Sequence, residues 1–343
     1  MIFRLAHKIF PQFSLFFFFF CICVDVCYNA QCTSIVSFPL VQFDNAMICH
    51  PIDSNEYQKS CNRTPEDKKL FDFAHQNYQT YFLEAQGYTQ AVRIPKIIHQ
   101  IWVGPHQPPP QFKKWQQTWI ALHPDWEYKL WTDTEVENLT LINKQYYDEE
   151  QNYGAKSDIL RLELLHEFGG LYVDIDCECL CSFDMLHHLC DFYIGFFQVN
   201  FLRSSARVNN ALMAACPHHP LITILLHKLA LNQQKQSSAE IIERTGPSFI
   251  TQALKEHVYS AEGINLLLPA NFFYPFTGIS QKLKLIMHPE TMAIHYYAGT
   301  WHNKKKRTHT PLNKQSTSYK ALQREREIKK TVLLANYNTV ISQ

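Results

Sequence analysis

The stretch Ala155 to Glu178, AKSDILRLELLHEFGGLYVDIDCE, decides the reading of this chain. Its first half carries Ile159, Leu160, Leu162, Leu164, Leu165 and Phe168, enough apolar side chains for an amphipathic helix packed on a sheet. Ser157 is the expected N-cap. Gly169 and Gly170 stop the helix, because glycine accepts the left-handed backbone needed there. Leu171, Tyr172 and Val173 then suit a short covered strand. Asp174 and Asp176 follow at its C-terminal end, where open α/β sheets bind ligands. On a regular strand the i, i+2 spacing aims both carboxylates one way and Ile175 into the core. Such hard oxygens suit Mn²⁺ or Mg²⁺, ions that in turn hold phosphate oxygens.

An isolated D-x-D is more often a pair of solvated turn aspartates. Here Asp158 and Arg161 share one face of the preceding helix, three residues apart. As an ion pair alone they would add only about 0.2–0.5 kcal/mol. Beside the carboxylate strand they have a second use, as a sugar-hydroxyl acceptor and a phosphate-pairing guanidinium.

Working outward, Arg93 to Gly104 (RIPKIIHQIWVG) is a buried strand that ends in a proline-rich loop. His99 is expected to be a satisfied core histidine. Trp102 is either a core tryptophan or a platform for a base. Gln111 to Leu122 forms a helix and Trp126 to Trp131 the next strand, with Asp133 as N-cap or nucleotide contact. This β-α-β-α order predicts a mostly parallel sheet. Downstream come a strand at Phe192 to Phe197, a helix at Leu221 to Leu231, a helix opening at Thr245-Gly246-Pro247, and a strand at Leu266 to Leu268.

The motif AKSDILRLELLHEFGGLYVDID, the strand IPKIIHQIW, the segment Asn209 to Ala214 and the block Ala293 to Trp301 occur in an order that resembles glycosyltransferase family 32, the DXD sugar transferases. The resemblance runs from Ile94 to about Trp301. It implies a single α/β domain of GT-A type, with a mostly parallel nucleotide-binding sheet flanked by helices. It also implies a nucleotide-sugar donor, retention of anomeric configuration, and Mn²⁺ or Mg²⁺ as cofactor. Carried over residue by residue, Asp158, Arg161, Asp174 and Asp176 are catalytic. Trp102, Asp158, Arg161, Asp174, Asn210 and Trp301 face the donor. Asp174, Asp176 and His295 hold the metal, with Asp176 the direct ligand and His302 a rival to His295. For Asn210 the alternative is a helix N-cap. The loop Asn271 to Phe276 is expected on the acceptor side. Tyr296, Tyr297 and Thr300 depart from the family's His, Trp and Ser and leave the metal ligand from this block open between the two histidines.

Charge and length narrow the choices. The 343 residues hold 32 basic and 31 acidic side chains, so net charge of +1 gives no reason to expect nucleic acid. Arg4, His7 and Lys8 precede the apolar run Phe13 to Val24, about the length of a signal-peptide core and short for a span of ~20 residues. A cleaved signal and an uncleaved anchor both fit, so a secretory or membrane-anchored protein is expected. The domain reading is 1–27 signal or anchor, 28–92 stem and accessory helix, 93–302 catalytic domain and 303–343 basic tail. Of the eleven cysteines, Cys177, Cys179 and Cys181 lack the second ligand pair of a structural zinc site. Asn62-Arg-Thr64 and Asn138-Leu-Thr140 match glycosylation sequons.

The expected activity is transfer of a hexose, mannose favoured, from GDP-mannose or a UDP-hexose to a glycan or glycolipid. One alternative is a HAD-like phosphatase, which also places D-x-D after a strand; here Glu178 stands where that fold needs Thr or Val. The other is a non-catalytic sugar-binding homologue.

Overall fold

The structure is a computed structural model that describes residues 41–48, 54–84, 91–198, 207–235, 240–277 and 284–300. The targeting segment, Trp301, His302 and the basic tail lie outside the described residues.

Three helices open the described chain: α1 (Phe43–Met47), α2 (Ser54–Cys61) and α3 (Pro65–Asn77), the last running into a π-helical turn, Tyr78–Leu83. Thr64 caps α3 by accepting from Asp67 N at 3.0 Å, and Pro65 fits the first turn, where no N–H is needed. The region read from sequence as a stem packs on the sheet. Phe71 stacks on Phe196 at 4.9 Å, and Asn77 donates to the Asn265 carbonyl at 3.0 Å.

The sheet begins with β1 (Ile97–Ile101), followed by α4 (Pro110–Leu122), β2 (Glu127–Trp131), α5 (Asp133–Glu137) and α6 (Lys144–Glu149). Next come α7 (Tyr153–Phe168), β3 (Gly170–Val173), β4 (Cys177–Cys179), α8 (Asp184–Leu189), β5 (Phe192–Phe196) and β6 (Val208–Ala215). Then follow α9 (Pro220–Lys235), α10 (Ile241–Arg244), α11 (Pro247–His257), β7 (Asn265–Leu268), β8 (Phe276–Thr277), β9 (Lys284–Leu285) and β10 (Ala293–His295). Strand order in the main sheet is β2-β1-β3-β6-β5-β7. Its β1–β2, β1–β3 and β5–β7 pairings are parallel, whereas β6 runs against both neighbours. A separate antiparallel pair joins β4 to β10.

Helix α7 starts earlier than its sequence suggests. Asn152, not Ser157, is the N-cap, accepting from Gly154 N at 2.8 Å and Ala155 N at 3.3 Å. Nor is the helix amphipathic in place: Asp158 through Leu165 are all buried, because α9, β1, β3 and β6 pack around it. Asp133 also differs from expectation. Thr132 caps α5 in a box with Glu135, while Asp133 accepts from Gly104 N at 2.8 Å. Asn271 to Phe276 is not an open aromatic loop; Phe272, Phe273 and Tyr274 are fully buried.

His99 is the core histidine expected. Its Nε2 lies 2.8 Å from the Gly169 carbonyl and its Nδ1 accepts from Trp131 at 3.0 Å, and burial pushes its pKa down to about 4. The turn from α7 into β3 fits tightly over it. Gly170 has φ +95°, and a Cβ there would meet the Ile97 carbonyl at 2.7 Å and His99 Nε2 at 3.1 Å. Gly170→Ala is therefore expected to destabilise by more than about 1 kcal/mol, read as a lower urea midpoint at unchanged slope. An unchanged midpoint would refute this account of the turn.

Candidate active site

The D-x-D pair does not lie on a strand. β3 ends at Val173, and Cys177 N donates to the Asp174 carbonyl at 3.0 Å, closing a turn over Asp174, Ile175 and Asp176. The carboxylates converge through that turn rather than through strand periodicity. They meet at one atom: His295 Nε2 lies 3.2 Å from Asp176 Oδ1 and 3.7 Å from Asp174 Oδ2.

Several elements hold the turn in place. Gln100 Nε2 donates to the Asp174 carbonyl at 3.3 Å, and Tyr128 in turn donates to Gln100 at 2.5 Å. From the far end of the chain, Tyr296 N donates to the Asp176 carbonyl at 3.1 Å and Ala298 N to Asp176 Oδ2 at 2.6 Å. Tyr296 itself stacks on Trp115 of α4 at 4.4 Å.

Behind the turn lies Arg161, buried on α7 with its guanidinium 4.3 Å above the Tyr172 ring. It reaches Asp158 Oδ1 at 3.0 Å and Asp174 Oδ1 at 3.3 Å, and also donates to the Asn210 carbonyl. Asp158 accepts further from Asn210 Nδ2 at 2.8 Å and from Thr245 Oγ1 at 2.8 Å. Tyr172 donates to Asp174 Oδ1 at 2.7 Å. Asn210 is thus a residue of strand β6 and not a helix cap.

Asp158, Arg161, Asp174, Asp176, Asn210 and His295 are therefore brought together in one connected cluster. Trp102 stands just past β1, half-buried, with its indole edge on Phe112 and its N–H on the His106 carbonyl at 2.5 Å. Trp301 falls outside the described residues. Tyr172 and the Ala298 amide join the cluster without a motif to announce them; Cys177 stands out in the sequence only in a C-x-C-x-C run that lacks structural-zinc spacing, and Thr245 only in its Thr-Gly-Pro triplet. A cleft of about 480 Å³, bordered by Lys228, Ser248, Gln252 and Glu256 among others, shares none of the cluster's residues.

The electrostatics of the cluster are unbalanced. Two buried carboxylates, Asp158 and Asp176, and the half-buried Asp174 face one guanidinium and one imidazole. Burial pushes the Asp174 carboxyl up, against the pull of Arg161 and His295. Burial acts the same way on Asp176, but His295 and the Ala298 amide outweigh it and hold this carboxyl below its ordinary value. Burial would push His295 down, yet Asp176 and Asp174 outweigh it and raise its pKa. Asp174 is the most open member, with its side chain 27% exposed.

This donor set fits a divalent cation. Oxygens from two aspartates and an imidazole nitrogen point to one place, excess negative charge gathers there, and His295 Nδ1 has no hydrogen-bond partner among the described residues. The ligand atoms of Asp176, Cys177 and His295 lie within 4.8 Å of one another.

Residues 109–192 match the family model of the glycosyltransferase sugar-binding region containing a DXD motif, the segment that includes α7, β3 and both turn aspartates. Over this segment the chain resembles the DXD glycosyltransferases. It is 29% identical over 220 residues to inositol phosphoceramide mannosyltransferase 2 of Schizosaccharomyces pombe, covering 61% of this chain and 59% of that one. It is 31% identical over 194 residues to mannosyl phosphorylinositol ceramide synthase CSH1 of Saccharomyces cerevisiae, covering 52% and 48%. The chain thus spans about half to three-fifths of the length of these relatives. Among solved structures, the PaToxG glycosyltransferase aligns at 21% identity over 60% of this chain and 81% of that one, with a TM-score of 0.43. A superposition that loose supports no argument about the site.

Two outcomes test the geometry of this cluster. Thr245→Val keeps the shape of the side chain but leaves Asp158 Oδ2 short of a donor, so a loss of about 1–3 kcal/mol is expected in urea melts. Because the folded pKa of His295 is raised, its contribution to stability is complete below the unfolded value near 6.5 and is lost as pH rises through the folded value. Metal-free protein is therefore expected to lose stability on that rise, and His295→Gln to flatten the profile. Parallel profiles for the two proteins would contradict the assignment.

Proposed function

We propose that this chain is a cation-assisted, retaining hexosyltransferase that moves a sugar, mannose in the first instance, from a nucleoside diphosphate to a glycan or glycolipid. The observation that carries this reading is the meeting of Asp174 and Asp176 at His295 Nε2, 3.7 and 3.2 Å away, with Arg161 behind them. The family match favours a transferase over the phosphatase alternative.

Asp176 and His295 would hold Mn²⁺ or Mg²⁺, with Asp174 beside them. Bound there, the ion would supply positive charge to offset the charge gathering on the departing diphosphate. The chain's own residues do the rest. Asp174, the most open of the carboxylates, reaches the donor's ribose. Arg161 holds Asp174 from below and adds its positive field to the diphosphate end of the site. Asp158 is the family's sugar-hydroxyl residue; here Arg161, Asn210 and Thr245 fix its carboxylate, so it sets the shape of the sugar pocket. Asn210 and Trp102 complete the donor side, and the family resemblance assigns the cap to Trp301. No described residue stands as a covalent nucleophile in the cluster, so substitution on the same face, guided by the diphosphate, accounts for retention.

The named relatives act on an inositol phosphoceramide, which makes GDP-mannose with such a glycolipid the first pair to assay; UDP-hexoses follow. The apolar N-terminal run suits delivery to a secretory lumen or a membrane surface. Among the described residues no helix is long and apolar enough to cross a membrane.

The test is a panel of nucleotide sugars with and without Mn²⁺, read by thermal shift and by transfer. One donor is expected to raise the melting temperature only when the ion is present, since a ligand of the native state stabilises it. Asp176→Asn is expected to remove that shift and lower transfer by at least about 100-fold, the scale seen when a preorganised electrostatic group is deleted. Binding without transfer or hydrolysis of any donor would favour a sugar-binding homologue. Full activity in Asp176→Asn would reject the scheme.

A further inference from the structure

Cys177 immediately follows the second turn aspartate and begins β4. It lies opposite His295 in the antiparallel ladder of β4 and β10. Residues opposite each other in such a ladder project their side chains from the same face. The thiol and the imidazole therefore share one side of this two-stranded pair, and Cys177 is wholly buried there as a free cysteine. Asp176 closes the third corner, all three ligand atoms lying within 4.8 Å of one another. The His295 side chain is only 10% exposed, its Nε2 is held at Asp176, and its Nδ1 finds no partner among the described residues.

A carboxylate oxygen, an imidazole nitrogen and a thiol sulfur are not the donor set that Mn²⁺ or Mg²⁺ selects. They suit a thiophilic ion such as Zn²⁺ or Cd²⁺. Tetrahedral zinc, with bonds of about 2.3 Å to sulfur and about 2.0 Å to nitrogen, sets its ligand atoms roughly 3.5 Å apart. With the ligand atoms within 4.8 Å of one another, side-chain rotation has at most about 1.3 Å to close.

We propose that Asp176, Cys177 and His295 form a site for a thiophilic divalent cation, and that an ion held there takes Asp176 and His295 away from the donor-binding cation. The inference rests on reading Asp176 as a cation ligand. Binding exchanges the thiol proton for the metal: a sulfur–metal bond forms, the S–H bond breaks, and the proton leaves to solvent. No oxidant or reductant takes part. The consequence is an enzyme sustained by an oxygen-seeking ion and inhibited by a sulfur-seeking one.

Cobalt(II) is the probe, added to the full chain with reducing agent that does not bind metal. Near-ultraviolet sulfur-to-metal absorption is expected, with Zn²⁺ displacing it. In Cys177→Ser this absorption is expected to vanish and Zn²⁺ affinity to fall at least about 10- to 100-fold, the range already seen for changes that only support a metal ligand. Asp176→Asn and His295→Gln, which keep the thiol, are expected to weaken the same absorption and serve where Cys177→Ser does not fold. Absorption at wild-type strength in these variants, or any that remains in folded Cys177→Ser, would belong to another cysteine and overturn the proposal. Manganese binding, followed separately in the wild type, keeps the two ideas apart. Manganese bound without any thiolate signal from cobalt rejects the thiophilic site alone. No divalent ion of either kind rejects the cation reading of Asp176 as well.

Discussion

A surplus of buried negative charge organises this protein. Asp158, Asp174 and Asp176 approach one another where β3 ends, and Arg161 and His295 are the cations that face them. Like charges in a low-dielectric site repel strongly unless something opposite is near. The fold answers with hydrogen bonds on almost every oxygen, from Asn210, Thr245, Tyr172 and the Ala298 amide. What hydrogen bonds leave undone, a divalent cation and a diphosphate can complete.

The fold is arranged to bring those partners in from distant parts of the chain. Helix α7 supplies Asp158 and Arg161, and its burial on all sides fixes where they point. Strand β6 supplies Asn210 from the opposite side of β3. The threonine before α11 closes the network over Asp158. The β4–β10 pair carries His295 to the turn, and Tyr296, stacked on Trp115, anchors that pair to α4. Helices and strands carry Asp158, Arg161, Asn210 and His295, and hydrogen bonds hold the turn aspartates between them, which is what a preorganised electrostatic site requires.

Much of this was legible in the sequence, for definable reasons. Helix α7, the glycine stop and strand β3 announce themselves through apolar spacing and Gly169-Gly170. The candidate residues Asp158, Arg161, Asp174, Asp176, Asn210 and His295 could be chosen from motifs, and the structure gathers them. The manner of gathering could not be read. The aspartates meet in a turn because Cys177 leaves to pair with β10, a partner far along the chain. Local spacing carries no trace of that pairing. The start of α7 is hidden for a similar reason: Asn152 competes with Ser157 as a cap, and only packing against α9 and the sheet favours the longer helix. Phe272 and Phe273 looked like a ligand-facing loop because an aromatic cluster near a strand end has the same composition whether it faces a cleft or the core.

The central claim is that this negatively charged turn takes one divalent cation. Paramagnetic resonance of Mn²⁺ titrated into metal-free protein, with and without a nucleoside diphosphate, measures it directly. The account requires one bound ion per chain, held more tightly once the diphosphate is present, and no such binding after Asp176→Asn. Manganese that stays free in solution, or binds equally well to the variant, would contradict it.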